Sequence, residues 1–262
     1  MWLGHGFKGR MSRQTGIFVG TAGWSLPKQH ADAFPPDGSH LERYAARLTG
    51  VEINTSFYRP HRVATYERWA ASVPSDFRFA VKVPRTITHE RRLVDIDEPL
   101  TRFLAEVAGL GTKLGPILLQ LPPSLAFEPA RDSAFLARLR RDVGGDLVCE
   151  PRHPSWFTPS VEARLDAMQV ARVAADPAPA PGASEPGGWR GMAYYRLHGS
   201  PEIYRSAYAP AALQRMAERL AHHAAGAEEA WCIFDNTAEF HAAGDALTTL
   251  RNLARLDPGT GA

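Results

Sequence analysis

The sequence predicts an α/β protein, a single TIM-type (β/α)8 barrel in which a Pro/Gly-rich loop replaces the sixth helix. Three observations carry this expectation. Eight short apolar runs alternate with amphipathic stretches. The length of 262 residues suits one such domain. Within the runs, polar residues keep a two-residue register and gather toward the C-terminal ends.

Strands are expected at 17–22, 51–55, 78–83, 117–121, 147–150, 172–175, 193–198 and 231–235, each followed by Gly, Pro, Asn or a charged residue. After the first, Ser39 can cap a helix through Leu41, Tyr44, Ala45 and Leu48, with Gly50 as its stop. Residues 63–72 put Tyr66, Trp69 and Ala70 at helical spacing. Leu100, Phe103, Leu104, Val107 and Leu110 make an apolar stripe before Gly111. Similar stripes run through 135–139, 161–168, 213–220 and 246–253. The sixth connection, 177–191 (PAPAPGASEPGGWRG), reads as a degenerate crossover rather than a linker or lid. Alternating β and α segments argue for a parallel sheet, with an open doubly wound sheet as the competitor. GTAGWS after the first strand lacks the glycine spacing of a dinucleotide fingerprint.

One domain is expected over 15–256, with an N-terminal extension at 1–14 and a tail at 257–262; Met11 is the expected natural start. The 30 basic and 28 acidic residues are mixed along the chain, without the basic block of a dedicated nucleic-acid binder. Cys149 and Cys232 lie in expected strands, lack CxxC spacing and read as buried free thiols, which suits a reducing cytoplasm. No apolar stretch is long enough to span a bilayer, and the first ten residues lack a signal-peptide core.

The register of polar residues points to a site. Glu52 and Asn54 oppose Val51 and Ile53, and Lys82 opposes Val81 and Val83. Gln120 lies between Leu119 and Leu121, and Glu150 and Arg152 oppose Cys149. Arg196 and His198 oppose Tyr195 and Leu197, and Asn236 follows Phe234 by two. In a barrel the apolar parity faces the helices and the polar parity points inward, toward the strand ends where TIM-barrel active sites lie. A satisfied ion-pair network is the competing reading, with Glu52 on Lys82 and Glu150 on Arg152 or Arg196.

Glu52 and Glu150 are paired carboxylates suited to acid–base work, and His153 and His198 titrate near neutral pH. Lys82, His89, Arg152 and Arg196 make the mouth cationic and suit a phosphate or carboxylate. Asn54, Tyr58, Gln120, Trp156, Asp176 and Asn236 complete the expected binding set, with Tyr58 and Trp156 as stacking surfaces. No serine sits in GxSxG and neither cysteine neighbours a histidine, so no covalent Ser or Cys nucleophile is expected. No cofactor is expected. A divalent metal on Glu52, Glu150, Asp176 and His198 is the lesser alternative, because HxH and HExxH spacings are missing and nearby cations oppose it.

The segments GTAGWS, VEINTSFYRP, FAVKVPRTITH, LGPILLQLPPS, CEPRHPSW, YYRLHG and FDNTAEFHAAGDAL resemble, in order, the YecE-like family (domain of unknown function 72), from Ile17 to about Leu250. The resemblance implies a TIM-barrel fold and carries no established activity. Two departures from the family lie near the mouth: SLPKQHADAFP is short, and Asp235 stands where relatives commonly carry an amide. The expected function is acid–base catalysis (hydrolase, lyase or isomerase) on a small anionic or polyhydroxylated metabolite. The alternative is a non-catalytic binding protein for nucleic acid or another anionic ligand.

Overall fold

In the computed structural model, which describes residues 16–226 and 229–256, strands and helices alternate along the chain. The expected extension at 1–14 and tail at 257–262 lie outside the described residues. The strands are β1 (Ile17–Thr21), β2 (Gly50–Ile53), β3 (Arg78–Lys82), β4 (Leu114–Gln120), β5 (Leu147–Glu150), β6 (Val170–Arg172), β7 (Ala174–Asp176), β8 (Gly187–Gly188), β9 (Met192–Leu197) and β10 (Glu229–Phe234). The helices are α1 (His40–Ala45), α2 (Val63–Ala71), α3 (Asp97–Val107), α4 (Pro129–Asp142), α5 (Pro159–Ala167), α6 (Pro210–Ala224) and α7 (Ala242–Leu256).

The result is a mixed α/β fold with two largely parallel sheets. One has the order β1-β10-β9-β7, the other β2-β3-β4-β5-β6-β8, with only β8 antiparallel. The expected sixth strand is divided. β6 pairs with β5 and β7 with β9, and only Val173 separates them. The Val173 amide donates to the Cys149 carbonyl, so one extended run borders both sheets. At the other flank Ala22 bridges to Glu52 in parallel, and the Thr49 amide donates to the Val19 carbonyl. The sixth connection contains no helix; its β8 turns back onto β6.

Local chemistry explains most boundaries. Ser39 caps α1 by accepting from the Glu42 amide while the Glu42 carboxylate accepts from the Ser39 amide, a reciprocal capping box. Proline opens α4, α5 and α6, where the missing N–H costs no intrahelical bond. Gly50 does not stop α1, which ends at Ala45. It begins β2, because a Cβ there would lie 3.0 Å from the Trp231 ring.

Period-two alternation divides the core into two clusters. Val51, Ile53, Val81, Val83, Leu119, Leu121, Cys149, Tyr195 and Leu197 pack with the helices, as their parity predicts. The opposite parity forms a second cluster around Ala80, Leu118, Val148, Tyr194, Trp231 and Ile233. Trp231 is fully buried between Phe18 and Tyr194, with ring centroids 4.5 and 5.9 Å away and near-parallel planes. Gly50 and Gly115 leave it room: a Cβ on Gly115 would come within 2.9 Å of the indole. Both cysteines are buried free thiols. Among the described residues, no helix is long and apolar enough to cross a membrane.

Because the glycines shape the space around one ring, truncating that ring leaves a void that neighbouring backbone cannot close. Trp231→Ala is expected to lower stability by about 3–5 kcal/mol, read from urea unfolding.

Candidate functional site

The parity that carries the second cluster turns polar at the C-terminal strand ends. Ala80 gives way to Lys82, Leu118 to Gln120, Val148 to Glu150, Tyr194 to Arg196 and Ile233 to Asp235. Glu52 joins them from β2. These groups meet around Arg196, whose side chain is 0% exposed. Its Nε and Nη2 donate to the two oxygens of Glu52 at 2.9 and 2.8 Å, a bidentate pair. Nη1 donates to Glu150 at 2.6 Å and Nη2 also to Asp235 at 3.0 Å. One guanidinium on β9 therefore ties the ends of β2, β5 and β10 together.

His198 occupies the next position of the same parity. Its Nε2 lies 3.0 Å from Glu150 and its Nδ1 3.1 Å from Asp235. With a carboxylate at each nitrogen, both ring N–H groups have acceptors, so the imidazolium is favoured. Burial works against that charge, but the Glu150 charge and the hydrogen bonds that the ring donates to Asp235 and Glu150 outweigh it and raise the pKa. Burial likewise pushes the Glu150 carboxyl up, yet the charges of Arg196, His198 and Arg152 hold it well below the usual carboxylate range. Asp235 is also lowered, since Arg196 and His198 overcome its burial. Gln120 donates to Glu150 at 2.9 Å, and Arg152 does so at 3.2 Å.

Lys82 and His89 behave differently. Lys82 is buried, and its Nζ stands 4.1 Å from the centroid of the Phe57 ring. Burial, reinforced by the Arg196 charge, brings its amine down to about 8. His89 packs edge-on against the same ring, with centroids 5.0 Å apart. Burial and the positive charges of Lys82, Arg152, Arg85 and Arg92 push its imidazole down to about 4, leaving it neutral at neutral pH. The site thus favours the charged form of one histidine and the neutral form of another.

The remaining expected residues are placed less uniformly. Asn54 follows β2, with its side-chain oxygen buried and unpartnered. Asp176 ends β7, and its carbonyl accepts from the His198 amide and the Tyr208 hydroxyl. His153 bonds Ser155 and caps a short 3-10 turn. Tyr58 is 67% exposed. Trp156 is fully buried, gives its indole N–H to the Leu125 carbonyl and packs on Phe127, so it belongs to the core. Asn236 leaves the cluster: it shares the parity of Phe234 and donates to Asp245 of α7 and to the Ser206 carbonyl. Asp235 takes the place expected of it, and the alternation Trp231, Ile233, Asp235 is the signal that identifies it. Both ion pairs that the competing reading offers Glu150, with Arg152 and with Arg196, are present. Glu52 pairs with Arg196 instead of Lys82. Among the described residues, no three His, Cys, Asp or Glu side chains are grouped as metal ligands; the Glu52 and Glu150 carboxylates are turned onto Arg196.

Comparison with known proteins places the chain in a family. The family model described as "Protein of unknown function DUF72" matches residues 18–260. The chain belongs to the DUF72 family. It is 32% identical over 148 residues to the UPF0759 protein YecE of Escherichia coli K12, covering 56% of this chain and 52% of that protein. It is 29% identical over 154 residues to YunF of Bacillus subtilis 168, covering 55% and 53%. The chain thus spans about half the length of the curated relatives it matches. Crystal structures of DUF72 proteins share the fold: one from Enterococcus faecalis V583 at TM-score 0.75 and 22% identity, covering 90% of this chain and 95% of that one. Another, from Thermotoga maritima MSB8, superposes at TM-score 0.74 and 24% identity, covering 91% and 99%. No specific activity is established for the family by these relatives.

Two outcomes test the electrostatics. Removing the guanidinium in Arg196→Met strands buried carboxylates, so stability is expected to fall by roughly 3–5 kcal/mol at neutral pH. The deficit shrinks at acid pH as Glu150 and Asp235 take up protons, which urea unfolding across pH reads directly. For His198 the folded pKa is raised, so its stabilising contribution is complete below the unfolded value of 6.5 and is lost as pH rises through the folded one. The stability gap between the wild type and His198→Asn is therefore widest on the acid side and narrows with rising pH.

Proposed function

We propose that this chain is an enzyme using acid–base chemistry on a small anionic substrate at the C-terminal ends of its strands. The observation that carries the reading is the pair of histidines whose environments push their proton affinities apart. Such a pair supplies an acid and a base at one pH. His198 is the proton donor, oriented by Glu150 and Asp235, and neutral His89 is the acceptor. Glu52 gives both oxygens to Arg196, which makes it a positioning residue.

Charge supports the anionic substrate. Four cationic groups, Lys82, Arg152, Arg196 and His198, face three carboxylates, Glu52, Glu150 and Asp235. Arg196 is consumed internally, while Arg152 is half-buried and engages Glu150 at 3.2 Å and the Tyr204 hydroxyl, which leaves the other donors of its five-donor fork for a ligand. The unpartnered Asn54 oxygen adds an acceptor for a substrate hydroxyl.

The architecture that suits this reading is a closed barrel within one domain over 15–256. The divided strand β6–β7 borders both sheets, and the Ala22–Glu52 bridge joins their other edges. In that closure the second core cluster is the barrel interior and the Arg196 network its mouth, where enzymes of this fold keep their chemistry. The buried free thiols suit a cytosolic setting.

Thermal unfolding in phosphate at matched ionic strength tests the site. Saturable binding to the native state adds RT ln(1 + [L]/Kd), roughly 2.7 kcal/mol at a hundredfold excess. A rise that is lost in Arg152→Ala is the expected result. No rise, or an equal rise in both proteins, overturns the anion-binding mouth, and binding of nucleic acid without turnover would favour a non-catalytic protein.

A further inference from the structure

Lys82 has a role that the acid–base reading leaves unassigned. The chain carries 26 arginines and only four lysines, Lys8, Lys28, Lys82 and Lys113. Among the described residues Lys82 is the one buried lysine; Lys28 is exposed and Lys113 half-buried. Every other cation at the mouth is Arg or His. An amine differs from a guanidinium in one respect that matters here: it can give up its proton near neutral pH and attack carbon.

The surroundings favour that loss. No hydrogen bond or ion pair holds the Lys82 Nζ among the described residues, whereas the Arg196 guanidinium donates to three carboxylates. The ammonium rests on the face of Phe57, a weaker partner than a carboxylate. The Ser56 hydroxyl donates to the Lys82 carbonyl at 2.7 Å, tying the end of β3 to the turn that presents Phe57. The charged groups acting on the amine are Arg196, Glu52, Glu150 and Asp235, with neutral His89 on the same Phe57 ring, and burial with Arg196 prevails to bring it down to about 8.

We propose that Lys82 is a nucleophile that forms an imine with an aldehyde or ketone bearing an acidic group, of the 2-oxo acid type. This rests on the mouth being an anion site, with Arg152 receiving the acidic group. The Nζ lone pair forms the C–N bond, and the carbonyl π pair moves to oxygen, which takes a proton from His198. The nitrogen passes an N–H proton to neutral His89. His89 hands that proton to the new hydroxyl, so the C–O bond breaks and water leaves as the nitrogen lone pair closes C=N. One amine, one carbonyl and one proton give one iminium and one water, without oxidant or cofactor. The iminium then draws electrons from an adjacent C–H or C–C bond, the chemistry of an isomerase or lyase.

Reductive trapping of the whole chain decides the matter. The protein is incubated with glyoxylate or with acetaldehyde and sodium cyanoborohydride, and each lysine-containing peptide is followed by mass spectrometry. Glyoxylate is expected to modify Lys82 at least tenfold faster than Lys28, faster than acetaldehyde does, and more slowly when phosphate is present. The rate is expected to climb as pH approaches about 8, and Lys82→Arg removes the adduct. Modification of Lys82 no faster than that of Lys28 overturns the nucleophile. Equal rates with acetaldehyde overturn the acidic substrate class. If phosphate stabilises the protein but Lys82 stays unmodified, the imine falls and the anion site stands; if both fail, both readings fall together.

Discussion

The organisation of the strand ends depends on one buried guanidinium. Arg196 has no exposed surface, and it is surrounded by Glu52, Glu150 and Asp235. Each carboxylate on its own would be costly to bury, and so would the arginine. Together they are mutually required, which fixes where β2, β5 and β10 end relative to β9. Stability alone does not account for such a cluster, since apolar residues of similar volume commonly do as well or better. The arrangement is understandable if the charges are kept for what they do to their neighbours: Glu150 and Asp235 raise the proton affinity of His198, and burial together with the Arg196 charge lowers that of Lys82.

Much of this is legible in the sequence because period two is a rigid rule. Strand positions differ by at most a few residues from those expected, and the parity that sends Val51, Val81 and Leu119 to the helices sends Glu52, Lys82 and Gln120 the other way. Where the alternation is followed through, it also finds Asp235. Attention to Asn236 as a polar residue after a strand misplaces it, because it shares the parity of Phe234. Gly50 misleads in another way. A glycine after an apolar stripe reads as a helix stop, but here the constraint is a tryptophan 181 positions along the chain, and local sequence carries no trace of that contact. Trp156 likewise lies near the site in sequence, yet the Leu125 carbonyl draws its indole into the core.

The division of β6 from β7 escapes a reading by runs for a related reason. The segment 170–176 is apolar apart from Arg172 and Asp176, and nothing within it marks a change of partner. The change occurs because the first half is registered on β5 and the second on β9, a property of the neighbours' positions. What the composition does reveal is the contrast between arginine and lysine. Arginine is used for nearly every cation, including the internal one at the centre of the network, where a permanently charged planar fork suits three carboxylates.

The apolar cluster and the polar strand ends are built from one set of side chains, and each limits the other. Trp231, Phe18 and Tyr194 fill one end so completely that Gly50 and Gly115 must lack side chains. Tyr194 spans the boundary: its ring stacks on Trp231 while its hydroxyl donates to Glu52 at 3.3 Å. Glu52 is therefore gripped from below by a phenol and from the side by a guanidinium, and has no freedom to follow a substrate. Rigidity of this kind is what allows proton affinities to be set by geometry. A mobile carboxylate would relax toward whichever cation approached, and the opposed states of His198 and His89 would merge. The packed apolar end thus holds still the charges that determine which groups at the strand ends carry protons.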